Sequence, residues 1–292
     1  MTDLPETYHE YTWKLLGSLP KGYNRVDLVA DTYREISIKN GERQKRGTSS
    51  RLHINSAHSK LPRDFTNFLK NGENKTRLID LICEVISSES VWALHLLKCN
   101  EIYFSKEIQS TVIDAEGLRD FDRLKSNQEE ADTKMILHCL DALVDPESTV
   151  VLRSHSGDTD IMVLAVTLIR SNCERLFIDW GCGKNRKAIC LSDITMSERE
   201  KDALLGFHSF SGNDYISAFF MKGKAVSWKC MLKKEIFVEV FSAFGRTFEF
   251  DQSQLLLLEE YVCQLYGYQS QNLDSNKVQT IQQEGHRRQE ST

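Results

Sequence analysis

The 292-residue sequence predicts an α/β fold, a mainly parallel sheet with helices on both faces, followed by a small helical C-terminal extension. Three observations carry this expectation. Short runs rich in Val, Leu and Ile, such as Arg25–Asp31 and Thr149–Arg153, suit strands buried on both faces. Longer stretches between them place apolar residues at helical spacing. The two kinds alternate along the chain, as parallel strands joined by crossover helices do.

Taken in order, residues 6–18 carry Tyr8, Tyr11, Leu15 and Leu16 at helical spacing and stop at the turn residues Pro20, Lys21 and Gly22. Arg25–Asp31 reads as a buried strand ending on an aspartate. The polar stretch 47–60 has no periodicity and reads as a mobile loop. Lys75–Ser88 presents Leu78, Ile79, Ile82, Val85 and Ile86 as a helical stripe, and Ile102–Ile113 reads as one or two strands. Gln128–Leu143 is a helix with Ala131, Met135, Ile136, Cys139, Leu140 and Leu143 at helical offsets, and Ser126 and Glu129 fit a capping box before it. Next come a strand at Thr149–Arg153, a polar turn at Ser154–Asp160, a helix at Ile161–Arg170, and strands at Arg175–Trp180 and Lys187–Leu191. Ser197–Phe207 is a helix and 210–215 a loop. Residues 233–267 form a helix pair, with Phe237, Val240 and Phe241 facing Leu255, Leu258 and Tyr261. The expected organisation is an α/β domain over 1–230 with a basic, partly mobile segment at 39–63, a helical extension over 231–268, and a disordered polar tail over 269–292.

Composition narrows the function. The longest largely apolar stretch, Ile161–Ile169, has nine residues, against the ~20 a helix needs to cross a bilayer. No membrane is expected, and the first residues lack the pattern of a secretory signal, which predicts an intracellular protein, nuclear or cytoplasmic. Eight cysteines without a C-x-x-C pair read as reduced, packed thiols rather than a zinc site. A net charge of −5 excludes a bulk electrostatic hold on nucleic acid. Charge is instead local: Lys39–Arg63 is strongly basic, with Glu42 as its one acid.

Four acidic groups fall at or beside predicted element ends: Asp31; Glu129, Glu130 and Asp132; Asp158 and Asp160; and Asp214. In open α/β sheets the carboxyl ends of strands line one crevice, so acids distant in sequence can meet there. Carboxylate oxygens suit hard divalent cations, and two such ions can activate water and stabilise the leaving oxygen of a phosphodiester. Singly, each group also has a plain structural use. Glu129 completes a capping box, Glu130 and Asp132 suit a helix N-terminus, Asp158 caps the following helix, and Asp214 makes an Asx-turn.

In their order the motifs resemble those of the PIN and flap-endonuclease superfamily, from residue 29 to residue 224. Val29-Ala30-Asp31 stands where that family has a strand ending in aspartate before a basic helix, here with Lys39, Arg43 and Arg46 on one face. Glu130-Ala131-Asp132 stands for glutamate-alanine-glutamate, Asp158-Thr159-Asp160 for aspartate-x-aspartate, and Gly212-Asn213-Asp214-Tyr215 for glycine-x-aspartate-tyrosine. The resemblance implies a PIN-like fold that hydrolyses DNA or RNA with two Mg²⁺ or Mn²⁺ ions. Asp31, Glu130, Asp132, Asp158, Asp160 and Asp214 would be the catalytic metal ligands, and Lys39, Arg43, Arg46, Lys222 and Lys224 the contacts to nucleic acid.

Two departures qualify the match. The family's first strand bears another metal-binding aspartate, and only 24 residues precede Arg25–Asp31. Either Asp27 compensates, or the sequence is an amino-terminally truncated gene product, or the site is incomplete. A degenerate or truncated fold would act as a nucleic-acid-binding module, or bind a protein through the helices of 233–267. Second, the glycine-rich loop with which flap endonucleases grip duplex phosphates is reduced to Gly223 within Met221–Lys224. Asp158-Thr159-Asp160 also meets the minimal spacing of a phosphatase that forms an aspartyl-phosphate.

Overall fold

Thr7 starts the first helix, α1 (Tyr8–Ser18), in a capping box: its hydroxyl accepts from the backbone N–H of Glu10, whose carboxylate accepts from Thr7 in return. This computed structural model describes residues 4–33, 49–154, 157–213, 216–246 and 251–268. The chain is α/β, with ten α-helices and two small mixed sheets among the described residues. It divides into two units, Met1–Ser148 and Thr149–Thr292, a boundary that falls inside the stretch 1–230. The expected tail from 269 lies outside the described residues.

In the first unit α1 is followed by β1 (Arg25–Val29), α2 (Phe65–Phe68), α3 (Gly72–Ser88), α4 (Ser90–Leu97), β2 (Glu101–Lys106), β3 (Gln109–Asp114), β4 (Gly117–Asp120) and α5 (Ala131–Ala142). The sheet order is β1-β2-β3-β4; β1 runs parallel to β2, with Asp27 opposite Tyr103, and the other pairs are antiparallel. Ile102–Ile113 is therefore a hairpin, turned at Glu107 and Ile108 with Glu107 at φ 50°. Leu16, Leu81, Ile86, Leu97, Ile102 and Ile113 are fully buried in the core. Each contributes about 1.5–3 kcal/mol of burial energy.

The stretch 47–60 has no helix or strand among its described residues, but side chains of α3 fix its backbone. Asn74 donates to Ser50 O and accepts from Leu52 N, and Arg77 Nε donates to Ile54 O at 3.1 Å. Lys39, Arg43 and Arg46 lie outside the described residues.

The second unit contains β5 (Val150–Ser154), α6 (Thr159–Leu168), β6 (Leu176–Trp180), β7 (Lys187–Cys190), α7 (Glu198–Phe210), α8 (Lys224–Met231), α9 (Glu235–Ala243) and α10 (Gln252–Leu265). β5 and β6 are parallel, and β7 is antiparallel to β6. Of the five strand pairings in the two sheets, two are parallel. The helices close over a core of Ala203, Phe207, Met231, Phe237, Phe241 and Tyr261. Tyr261 is met edge-on by Phe237 and Phe241 with ring centroids 5.6 and 5.1 Å away. Leu255, expected in this contact, is instead 45% exposed, because Leu258, Tyr261 and Val262 occupy the buried face of α10.

α7 and α9 approach closely at Gly206, where a Cβ would collide with Phe241 O and the Phe244 side chain. A Gly206→Ala substitution should therefore lower stability by about 1–3 kcal/mol through overpacking. Gly17 is a helical glycine with nothing within 4 Å of an added Cβ, and Gly17→Ala should raise stability by roughly 0.5–1 kcal/mol. Denaturant unfolding of the full chain reads both, and opposite signs are expected.

Candidate functional site

Lys134, His138 and Asp141 occur at i, i+4 and i+7 of α5 and so share one face of the helix. The apolar stripe expected on this helix is present in Ile136, Cys139 and Leu143, all buried, while Leu140 is 41% exposed. The polar face is nevertheless buried too, with Lys134 1% and His138 3% exposed. Its partners lie along β1 and β2. His138 bonds Asp27 Oδ2 through Nδ1 at 2.6 Å and Ser105 Oγ through Nε2 at 2.8 Å. An ionised Asp27 can only accept, so Nδ1 is the donor in the first of these bonds.

Asp27 is further gripped by Arg25, whose Nε and Nη2 donate to its two oxygens at 2.7 and 2.8 Å. The Arg25 guanidinium also donates to Asp141 Oδ2 and lies 3.7 Å from the centroid of the Tyr103 ring. Burial works against ionisation of Asp27, but the hydrogen bonds and charges of His138 and Arg25 prevail and hold its carboxyl below the ordinary value of 3.8. Asp27 thus spends both oxygens inside the protein, within its own strand and on α5.

Asp31 lies two residues beyond the end of β1. Its Oδ1 accepts from the backbone N–H of Ala131, the first residue of α5, at 2.9 Å. Thr32 N donates to Glu129 O at 2.8 Å. These bonds bring Asp31 to the start of α5, beside Glu130 and Asp132, although the two segments are 100 residues apart. The expected capping box does not form. Glu130 is the N-cap residue and its side chain makes no capping bond, and Ser126 Oγ accepts from Gln128 N instead. The physical reason is that the helix starts only at Ala131, so Ser126 does not stand at its N-cap, and the first N–H of the helix is taken by Asp31. Glu129 Oε1 is buried without a hydrogen-bond partner.

In the second unit, Asp158 and Asp160 follow the carboxyl end of β5. Asp158 is the N-cap of α6, its Oδ1 accepting from Asp160 N at 3.0 Å. Trp180 Nε1 donates to Asp158 O at 3.3 Å, and a Cβ on Gly157 (φ 71°) would rest 3.5 Å from the Trp180 ring. Asp160 Oδ1 is bonded to His208 Nε2 of α7 at 2.9 Å.

Lys224 Nζ donates to His208 O, Ser211 Oγ and Gly212 O, closing the carboxyl-terminal end of α7. Burial pulls its ammonium below the ordinary value, against the opposing charge of Asp160. Lys222 Nζ lies 5.5 Å from the centroid of the Tyr266 ring. Asp214 lies outside the described residues.

Among the described residues, no three His, Cys, Asp or Glu side chains form a group able to hold a metal ion, and no helix is long and apolar enough to cross a membrane. Sequence reasoning missed Lys134, His138, Arg25 and Asp141. The signal available was the i, i+4, i+7 spacing of three polar residues, two of them within the largely apolar run that follows Lys134. Comparison with known proteins found no matching family model, no matching curated protein and no matching solved structure.

Because the Asp27 carboxyl titrates below 3.8 in the folded chain, its stabilising contribution is complete above that pH and is lost as the pH falls through its depressed value. Urea unfolding at a series of pH values should show wild-type stability declining below pH 3.8. Asp27→Asn should cost about 3 kcal/mol at neutral pH, as for one partner removed from a buried ion pair, and should flatten the acid decline.

Proposed function

We propose that the chain is a divalent-metal-dependent nuclease that hydrolyses phosphodiester bonds of DNA or RNA. The observation that carries this reading is the bond from Ala131 N–H to Asp31 Oδ1, which sets the acid at the end of β1 beside Glu130 and Asp132. The proposed ligands are Asp31, Glu130 and Asp132 in the first unit and Asp158, Asp160 and Asp214 in the second. Their all-oxygen chemistry suits Mg²⁺ or Mn²⁺, and the buried, unpartnered Glu129 Oε1 beside the first group supports a cation there. When bound, such ions supply the charge that stabilises the phosphodiester as it breaks and that makes water nucleophilic at neutral pH.

The protein's own part is to hold the carboxylates. Helix N-termini, α5 for Asp31 and α6 for Asp158, favour negative charge and fix one oxygen of each. His208 orients Asp160. The finer fold belongs to the same proposal: the parallel pairs β1/β2 and β5/β6 are the features that support a PIN-like arrangement, although three of the five pairings are antiparallel. Nucleic-acid contact is assigned to Lys39, Arg43, Arg46 and Lys222. Lys224 has a weaker case, since its ammonium already serves α7. An intracellular location accords with such a substrate.

One observation favours a second reading, in which the fold binds a partner without turnover. Asp27, the residue available to replace the family's first aspartate, is held by Arg25 and His138. The exposed Ile236, Leu255 and Leu256 of α9 and α10 would then serve a protein partner.

Incubation of labelled single-stranded, duplex and flap DNA and RNA with Mg²⁺ or Mn²⁺ separates the two. Cleavage is expected from the wild-type chain and should fall to background in Asp158→Asn/Asp160→Asn, which keeps a competent N-cap. Folded wild-type protein that leaves every substrate intact would instead favour the binding module.

A further inference from the structure

Lys134 is nearly inaccessible to solvent, yet lysine is among the side chains least often buried. Its ammonium donates to Thr32 Oγ1 at 2.8 Å, to Ala30 O at 3.3 Å and to Glu107 O at 2.8 Å. Two of these partners, Ala30 and Thr32, are the residues on either side of Asp31. The third is the carbonyl of the hairpin turn between β2 and β3, which itself receives the Thr32 hydroxyl at 3.5 Å. Ala30 N also donates to Ser105 O. The residues flanking Asp31 are thus held by a single buried cation, Ala30 through its carbonyl and Thr32 through its hydroxyl.

The placement has an electrostatic side as well. The buried positive charge of Lys134 lies one turn from Glu130 and on the helix whose first N–H holds Asp31, two of the acids proposed as ligands.

We infer that Lys134 is a positioning residue for the Asp31 carboxylate, acting through the carbonyl of Ala30 and the hydroxyl of Thr32, and that it tunes the affinity of the proposed Asp31 site for a divalent cation. The inference rests on the metal-dependent reading above. It assigns Lys134 no contact with substrate.

The test is Mn²⁺ binding to the full chain, read by the loss of the free-ion electron paramagnetic resonance signal, for wild type, Lys134→Met, Thr32→Val, Asp31→Asn and the Lys134→Met/Asp31→Asn pair. Lys134→Met should weaken Mn²⁺ binding roughly 10–100-fold, the range for residues that support metal ligands. Thr32→Val keeps the ammonium, removes one of its partners, and should weaken binding in the same direction. It carries the test if Lys134→Met does not fold. In the Asp31→Asn background, Lys134→Met should produce no further loss, because Asp31 is the route by which it acts. A merely structural lysine would lower the unfolding midpoint and leave the affinity of the folded protein unchanged, which overturns the inference. Wild-type protein that takes up no Mn²⁺ overturns the metal-dependent reading itself, and the role of Lys134 with it.

Discussion

The first unit depends on a constraint set by charge burial on one helix face. Lys134, His138 and Asp141 bring polar groups against β1 and β2, where leaving any of them unpaired would cost several kcal/mol. Every rung must therefore find its partner: Lys134 at Ala30 and Thr32, His138 at Asp27 and Ser105, and Asp141 at Arg25. A purely apolar face could slide along the strand at small cost. This one fits in a single register, and that register puts the first N–H of α5 against Asp31.

The two units use a related device at different ranges. In each, a parallel strand leads towards an aspartate that accepts from the first turn of a helix. Asp158 does so locally, capping the helix that follows it in sequence. Asp31 does so remotely, on a helix a hundred positions away. Either way one carboxylate oxygen is fixed by a backbone donor, and the second oxygen of Asp31 accepts from the Tyr33 hydroxyl. The chemistry proposed needs fixed acids of this kind, and loop-borne acids would be less well placed.

The long periodic elements were legible in the sequence. The stripe of Leu78, Ile82, Val85 and Ile86 marks α3, and the valine- and leucine-rich runs mark β1 and β5. What was missed has specific causes. α2, with four residues, and α4 and α8, with eight each, are too short to show a period. Leu140 and Leu255 fit their helical patterns but fall on exposed faces, because the width of a buried stripe is set by the neighbour and not by the helix. The Ser126 and Glu129 pattern fails as a cap because the helix starts only at Ala131, whose N–H is met by Asp31 through tertiary structure. Of the candidate site, the acids at strand ends were readable as residues. Their assignment to helix N-termini was half readable, for Asp158 alone. The cation that organises Asp31 was not, since a lysine in a helix ordinarily means solvent.

The parallel pairing of β1 with β2 joins Arg25 to Glu101, more than seventy positions apart, whereas β2, β3 and β4 follow one another through short turns. Closing the larger loop is the entropically dearer step, and local hairpins form well before it. The strand that leads to Asp31 is thus the earliest part of its sheet to be synthesised and closes the longest loop within it. A nascent chain cannot seat that acid until residue 134 has emerged, so fixing the Asp31 carboxylate is tied to completion of the surrounding fold.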